Sequence, residues 1–200
     1  MADKSIAIAE VCAALKSGVR NRAIKLLKHD YPFAPHPATK RQYGPLESTR
    51  VFVRDGFIDR YTAEHLIFPP GLRVISAELP DDFPYHPNWK TDVTHSAYWE
   101  VGATVDHLLP VSRGGTDDDS NWVTTSMAHN SAKGNWTLAE LGWSLQAPGD
   151  FRDWDGLIHW FLEYANDRPE LITAATMRQW HRAATLAVEG ILRGATEGGM

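Results

Sequence analysis

The sequence contains one cysteine, Cys12, and no long hydrophobic run. A single cysteine excludes an internal disulfide and a zinc site built from several thiolates, and it is typical of a reducing compartment. A membrane-spanning helix needs about 20 mainly apolar residues in succession, and no such stretch is present. Residues 1–18 place acidic side chains within a short apolar run, which favours an amphipathic helix over a signal peptide. We therefore expect a cytoplasmic protein that does not enter a membrane.

An excess of basic residues is lacking overall, since the 200 residues carry a net charge of −5. The charge is uneven, however: residues 1–60 hold 11 Lys or Arg against 6 Asp or Glu, and residues 61–200 hold 9 against 19. The net charge argues against a general nucleic-acid binder, whereas a basic N-terminal third can hold phosphates locally. A solvated helix surface is the alternative explanation for the same residues.

What is present is a sizeable apolar content, with 43% hydrophobic residues and eight Trp. This suffices for the core of one ordinary domain, or of a small core with helical additions. Apolar spacing predicts helices over 5–16 and 20–29, followed by a Pro-rich loop over 31–45. The β-branched and aromatic residues around a turn predict a hairpin over 51–61.

The second part of the chain alternates irregular and regular patterns. Proline and aromatic residues predict irregular, packed structure over 67–104. Two strands and a short helix are predicted next, and three helical patterns follow. These elements are a strand over 105–109, a strand over 121–125, the short helix in SMAHNSAKG, a capping box from Thr137 to Glu140, an amphipathic helix over 154–165 and a long helix over about 169–189.

One ordered motif stands out, the stretch DHLLPVSRGGTDDDSNWVTTSMAHNSAKG. It resembles the HNH endonuclease family, whose core has the pattern D-H-x-x-P, a Gly-Gly loop, Asn, and a helix ending in H/N-x-x-K. The matching residues are Asp106, His107, Pro110, Gly114, Gly115, Asn121, Asn130 and Lys133. The resemblance implies an α+β fold with a ββα-metal, treble-clef-like core, extended here by N-terminal and C-terminal helices. It also implies a metal-dependent endonuclease that hydrolyses phosphodiester bonds of DNA.

The chemistry of phosphodiester hydrolysis gives these residues roles. A histidine whose pKa lies near neutrality can deprotonate water, so His107 is the predicted general base. Asp106 and Asn130 are the predicted ligands of one divalent cation, and their oxygen donors favour Mg²⁺ or Mn²⁺. Asn121 is expected to tie the loop to the first strand and to orient His107 by a hydrogen bond. Lys133, Arg113 and Arg54 are predicted to contact nucleic-acid phosphates.

Further basic residues near the N-terminus are candidates for following a DNA backbone without reading its sequence. They are Lys16, Arg20, Arg22, Lys25, Lys28, Lys40, Arg41, Arg50 and Arg60. The two opening helices admit a helix-turn-helix interpretation, and helical cover of the core is the alternative.

Many HNH nucleases clamp the core with a zinc knuckle of two CxxC pairs, and this chain lacks all four cysteines. Asp59 and Thr62 stand at the first pair of positions, and Ser126 and His129 at the second. Hydroxyl groups are poor zinc ligands, so no structural zinc is expected. We expect Asp59 and His129 to form a hydrogen bond or ion pair in its place; two unrelated surface groups are the alternative.

The pattern divides the chain into a helical segment and linker over 1–45, a nuclease core over 46–145 and a helical extension over 146–200. An insertion over 67–104 separates the knuckle positions from Asp106. Its aromatic residues shape a substrate groove in one interpretation, because aromatic rings stack on unpaired bases. In the other they replace the lost zinc clamp by packing.

Other functions stay open from the sequence. An isolated Asp–His pair can be a turn cap beside a buried histidine, and Asp117, Asp118 and Asp119 are interpreted as solvated and left out of the site. If Asp106 and His107 have only these structural roles, the chain is a non-catalytic module that binds DNA or a protein partner. It can also be the nuclease subunit of a larger defence or phage packaging assembly, with a partner surface in its Trp-rich C-terminal half. Sequence specificity and oligomeric state are not encoded in these motifs.

Overall fold

The computed structural model describes residues 3–33 and 43–197, with side chains to residue 191. The chain forms two compact units, residues 1–38 and 39–200. In the first, helices α1 (Lys4–Lys16) and α2 (Arg20–Asp30) pack against each other, as predicted. Most of the predicted loop over 31–45, with Lys40 and Arg41, lies outside the described residues.

The second unit combines helices with a small antiparallel sheet, so the fold is mixed α and β. Its described helices and strands are α3 (Pro45–Arg54), α4 (Pro69–Glu78), α5 (Ala97–Glu100), β1 (Ala103–His107), β2 (Trp122–Ser126), α6 (Met127–Lys133), α7 (Leu138–Leu141), α8 (Ile158–Asp167) and α9 (Ala175–Glu197). Short 3₁₀ turns cover Val111–Arg113 and Pro169–Ile172. No helix in the described part of the chain is long and apolar enough to cross a membrane.

The hairpin predicted over 51–61 is wrong, because α3 occupies its first part. Pro45 stands in the first helical turn, where its missing N–H costs nothing, and Glu47 accepts a hydrogen bond from the backbone N–H of Gly44 at 2.9 Å. Ser48, Thr49, Val51 and Phe52 are all buried along one face. Their i, i+3, i+4 spacing is helical, and burial of this face outweighs the β preference of the individual residues.

The segment 67–104 is more regular than predicted, since it contains α4 and α5. Pro69 and Pro70 open α4, where the fixed φ of proline suits the first turn. The aromatic residues of the segment pack on one another: Tyr98 is buried and its ring lies within 6 Å of those of Phe83 and Trp89. These contacts favour the interpretation in which the aromatic residues of this segment serve packing.

Strands β1 and β2 pair antiparallel, with Val105 opposite Thr124 and His107 opposite Trp122. The predicted first strand ran two residues too far, because the chain leaves the sheet before Pro110. On the other side of β2, the backbone N–H groups of Thr124 and Ser126 donate to the carboxylates of Asp55 and Asp59, at 2.8 and 2.9 Å. These two acids therefore fix β2 to the segment that follows α3.

The C-terminal helices belong to the same core as the sheet. Ile158 and Phe161 of α8 and Ala184 of α9 are buried with Val51 and Phe52 of α3. The predicted extension over 146–200 thus shares its core with the predicted nuclease segment. The two observed helices lie later than the predicted ones, because 3₁₀ turns and loops occupy the first residues of each pattern.

Candidate active site

The candidate site lies at the end of β1, beside the loop over 108–121 and helix α6. Asp106 and His107 are consecutive in the strand, so their side chains point to opposite sides. Helix α6 packs against β1 and brings Asn130 and Lys133 to it: Asn130 Nδ2 donates to the carbonyl of Val105, and Lys133 Nζ donates to that of His107. The structure therefore gathers most of the motif around one strand end.

His107 is held by a carboxylate that the sequence analysis left out. Its Nε2 lies 2.8 Å from Oδ1 of Asp117, and the indole Nε1 of Trp122 lies 3.1 Å from the same oxygen. The indole N–H of Trp122 also lies 3.1 Å from Nε2 of His107, and in the tautomer with the proton on Nε2 both rings donate to Asp117. Within the described residues Nδ1 of His107 makes no hydrogen bond, which leaves its lone pair available. The imidazole is nearly buried, with 5% of its side chain exposed, and the ring of Tyr43 lies 6.0 Å away.

The interpretation of Asp117 as a solvated loop residue is wrong, since only 6% of its side chain is exposed. Its neighbours do have the surface roles expected of them: Asp118 accepts from Ser120, and Asp119 from Arg54. Three successive aspartates carry no sequence signal that distinguishes the one folded against a histidine. The path of the loop in the folded structure is what distinguishes Asp117 from its two neighbours.

Asn121 sets that path without touching His107. Its Oδ1 accepts from the backbone N–H of Leu109, and its Nδ2 donates to the carbonyls of Leu109 and Thr116. The predicted tie between loop and strand is confirmed, whereas the predicted hydrogen bond to His107 is wrong. Because Thr116 precedes Asp117, Asn121 positions the residue that holds the imidazole.

Asp106 is surrounded by donors. Its Oδ1 accepts from the backbone N–H of His107 at 2.7 Å, and its Oδ2 accepts from the Tyr61 hydroxyl at 2.7 Å and lies 3.0 Å from Lys133 Nζ. Burial raises the pKa of the Tyr61 phenol, and the Asp106 carboxylate beside it raises this pKa further, so the phenol stays a donor. Lys133 is completely buried. Its predicted phosphate contact is wrong, because the ammonium group is enclosed and paired with Asp106.

This arrangement does not fit a divalent ion held by Asp106 and Asn130. Both oxygens of Asp106 already accept hydrogen bonds, one of them from a cation, whereas the bond from Asn130 Nδ2 to the Val105 carbonyl does not use Asn130 Oδ1, so the misfit lies at Asp106. Across residues 3–33 and 43–197 no group of three or more His, Cys, Asp or Glu is placed to hold a metal. A metal at this position requires the partners of Asp106 to change.

The two predicted phosphate-binding arginines are both paired with acids. All five N–H donors of Arg54 are used, by Asp55, by the backbone and side chain of Asp119, and by the carbonyl of Trp122. The Arg54 side chain is 36% exposed and that of its partner Asp119 is 70% exposed, so the phosphate contact of Arg54 stays a prediction. Arg113 pairs with Glu140, and its phosphate contact stays a prediction.

The predicted pair of Asp59 and His129 is confirmed. His129 Nδ1 lies 2.7 Å from Asp59 Oδ2, and Ser126 Oγ lies 2.9 Å from the same nitrogen. Burial raises the pKa of Asp59, but the hydrogen bonds from the Ser126 N–H, from His129 and from the Tyr61 N–H outweigh it and hold this pKa below the ordinary 3.8. Thr62 is not part of this cluster and bonds to Glu64 instead.

No protein-family model, curated protein or solved structure matches this chain.

Proposed function

We propose that the chain is an endonuclease with an HNH-like ββα core, and that it hydrolyses phosphodiester bonds of DNA. The observation that supports this best is the pair of His107 and Asp117, with Nε2 of the imidazole on the carboxylate and Nδ1 without a partner among the described residues. With the proton on Nε2, facing the carboxylate, the Nδ1 lone pair is free to act as a general base.

We infer the following proton transfer from this geometry. Nδ1 of His107 takes a proton from the attacking water, and the ring becomes positively charged. The carboxylate of Asp117 stabilises that charge through Nε2–H, while the indole of Trp122 holds the same carboxylate oxygen in place. Asn121 fixes the loop that carries Asp117. The predicted Mg²⁺ or Mn²⁺ has no part in these steps and stays a prediction, as do DNA as the partner and a cytoplasmic location.

The near burial of His107 favours a second candidate, a non-catalytic DNA- or partner-binding module on the same scaffold. An imidazole with 5% exposure must be reached by water before it can act. A nearly buried histidine whose Nε2 is hydrogen-bonded is also a normal part of a protein core. In this second function the dyad serves only stability.

Cleavage of supercoiled plasmid DNA separates the two functions. The wild type is incubated with Mg²⁺ or Mn²⁺ beside His107→Ala and a matched control, His159→Ala, whose imidazole is about half exposed outside the site. We expect nicked or linear DNA from the wild type and from His159→Ala. His107→Ala should lose cleavage and keep its DNA affinity. Intact plasmid with every protein and both metals would contradict the nuclease.

A further inference from the structure

Lys133 is the one lysine of the motif and the only completely buried lysine among the described residues. Its Nζ lies 2.7 Å from the carbonyl oxygen of His107 and 3.0 Å from Oδ2 of Asp106. The ammonium group therefore sits where a cation bound to Asp106 would be. We propose that Lys133 is an internal cation of this site, and that a divalent metal binds Asp106 only in competition with it.

The competition follows from the carboxylate itself. A buried ammonium and a divalent ion a few ångströms apart repel each other strongly where water is scarce. Oδ2 of Asp106 also accepts from the Tyr61 hydroxyl, so it already has two donors. A metal ion that takes this oxygen has to displace the ammonium group, and the affinity for the metal is lowered by the free energy of the lost ion pair.

Lysine suits such an exchange better than a rigid cation. It is the last residue of α6, and its four-carbon stem can turn without unfolding the helix. The Asn130 side chain, one turn earlier, is held separately by its bond to the Val105 carbonyl. The inference extends the proposed function, because it concerns Asp106, which the sequence predicts as a ligand of the divalent ion of the nuclease.

Binding of Mn²⁺ to the full-length protein, followed by electron paramagnetic resonance without DNA, tests the competition. We compare the wild type with Lys133→Met, with the matched exposed control Lys90→Met, and with the double variant Lys133→Met/Asp106→Asn. Lys133→Met should bind Mn²⁺ about 10- to 100-fold more tightly than the wild type, the range typical for changes next to metal ligands. Lys90→Met should bind like the wild type, and the double variant should lose the gain.

Equal affinities of the wild type and Lys133→Met would overturn the proposal, and so would binding that survives Asp106→Asn or no binding by any variant. Tyr61→Phe removes a neutral donor from the same oxygen. A gain as large as that of Lys133→Met would show that donor number, not charge, sets the affinity, and this too would overturn the proposal.

A measurement on the wild type covers the case in which Lys133→Met does not fold. The ammonium nitrogen of Lys133, assigned through its own side chain in a ¹⁵N spectrum, should give a slowly exchanging signal that disappears on saturation with Mg²⁺. A signal that persists at saturation would overturn the proposal. None of these experiments uses DNA, so a plasmid left intact would remove the nuclease while the competition stood on its own result.

Discussion

Asp117 faces one nitrogen of His107, Nε2, and in the proposed function this leaves Nδ1 to take a proton. The carboxylate binds Nε2 at 2.8 Å, and both side chains are nearly buried. In the proposed function this pair does the orienting that the sequence pattern assigned to Asn121. The distinction matters for mutagenesis, because Asn121 supports a loop whereas Asp117 acts on the imidazole directly.

Asp117→Asn should therefore lower kcat for plasmid nicking by about 10²- to 10⁴-fold, the usual contribution of an oriented general base. An amide keeps the shape but does not stabilise the imidazolium, and it can hold the wrong tautomer. Single-turnover nicking rates measure the effect, and DNA affinity should change little. Asp118→Asn removes the same charge one residue away, from an exposed side chain, and should keep the wild-type rate. A comparable loss in both variants would mean that only loop charge matters.

Asp59 makes a second prediction, on stability. Asp59→Asn should lower the free energy of unfolding by about 1–3 kcal/mol at pH 7, since a charged, buried acceptor of several hydrogen bonds is lost. Because the folded-state pKa of Asp59 lies below 3.8, its contribution is complete above that pH and is lost as the pH falls through the folded-state value. Urea unfolding from pH 7 to pH 3 should show the two proteins converging in acid.

The control for that series is Asp92→Asn, which changes an exposed carboxylate. It should follow the wild type at every pH. A stability difference for Asp59→Asn that stays constant down to pH 3 would contradict the assigned role of its charge.

The loop between the two strands depends on close backbone contacts. A Cβ on Gly115 would lie 1.9 Å from the carbonyl oxygen of Leu109 and 2.9 Å from Nδ2 of Asn121. Neither contact is tolerable, and a backbone oxygen cannot turn aside as a flexible side chain can. The lack of room for a side chain therefore explains why the second residue of the Gly-Gly pair is glycine.

Gly115→Ala should destabilise the protein by about 1–3 kcal/mol, the usual cost of overpacking, and should also reduce nicking, because the loop carries Asp117. Gly190→Ala is the matched control, since a Cβ there meets nothing within 4 Å and alanine favours the helix. Thermal unfolding of both variants measures the difference. Equal melting temperatures would contradict the close contact at Gly115.

The elements were predictable where one pattern dominated. The two opening helices, the strand–loop–strand–helix order around Asp106 and the capping box at Thr137 all follow from local spacing. Helix α3 did not, because Val51 and Phe52 favour a strand individually and a helix only through the burial of a whole face. Local preference is a weak guide where tertiary packing decides.

The site was predictable in its membership and less so in its contacts. The motif identified Asp106, His107, Asn130 and Lys133 as neighbours, since a hairpin and the helix after it bring them together. Tyr61 is bonded to Asp106 across 45 residues, and its contact depends on how distant segments meet. Such contacts leave no local pattern. The burial of Lys133 also leaves no local pattern, because the spacing of the motif does not show which residues enclose its side chain.

The whole molecule distributes its charge between the two units. Residues 1–38 contain six Lys or Arg and three Asp or Glu, whereas residues 39–200 contain 14 and 22. Of the basic residues, Arg22, Lys25 and Lys28 are exposed along α2. Lys133 is enclosed and Arg54 is bonded to Asp55 and Asp119, so in the proposed function these exposed positions on α2 are the better candidates for holding DNA.

Replacing Arg22, Lys25 and Lys28 together by Gln should weaken DNA binding at low salt and flatten its salt dependence. Each lost phosphate contact reduces the slope of log K against log salt by about 0.9 for duplex DNA. Fluorescence anisotropy at several salt concentrations gives the slope, and the same three changes at Arg152, Arg178 and Arg182 provide a charge-matched control. An unchanged slope in the α2 variant would place the DNA elsewhere.

The carboxylates that bind the outer edge of β2 affect how the protein behaves at high concentration. One side of β2 pairs with β1, and on the other Asp55 and Asp59 take the N–H groups of Thr124 and Ser126 while the Arg60 N–H meets the Thr124 carbonyl. An open strand edge is a template on which a neighbouring molecule can add its own strand. Here that template is occupied by the chain's own acids, so resistance to polymerisation through this strand is part of the fold.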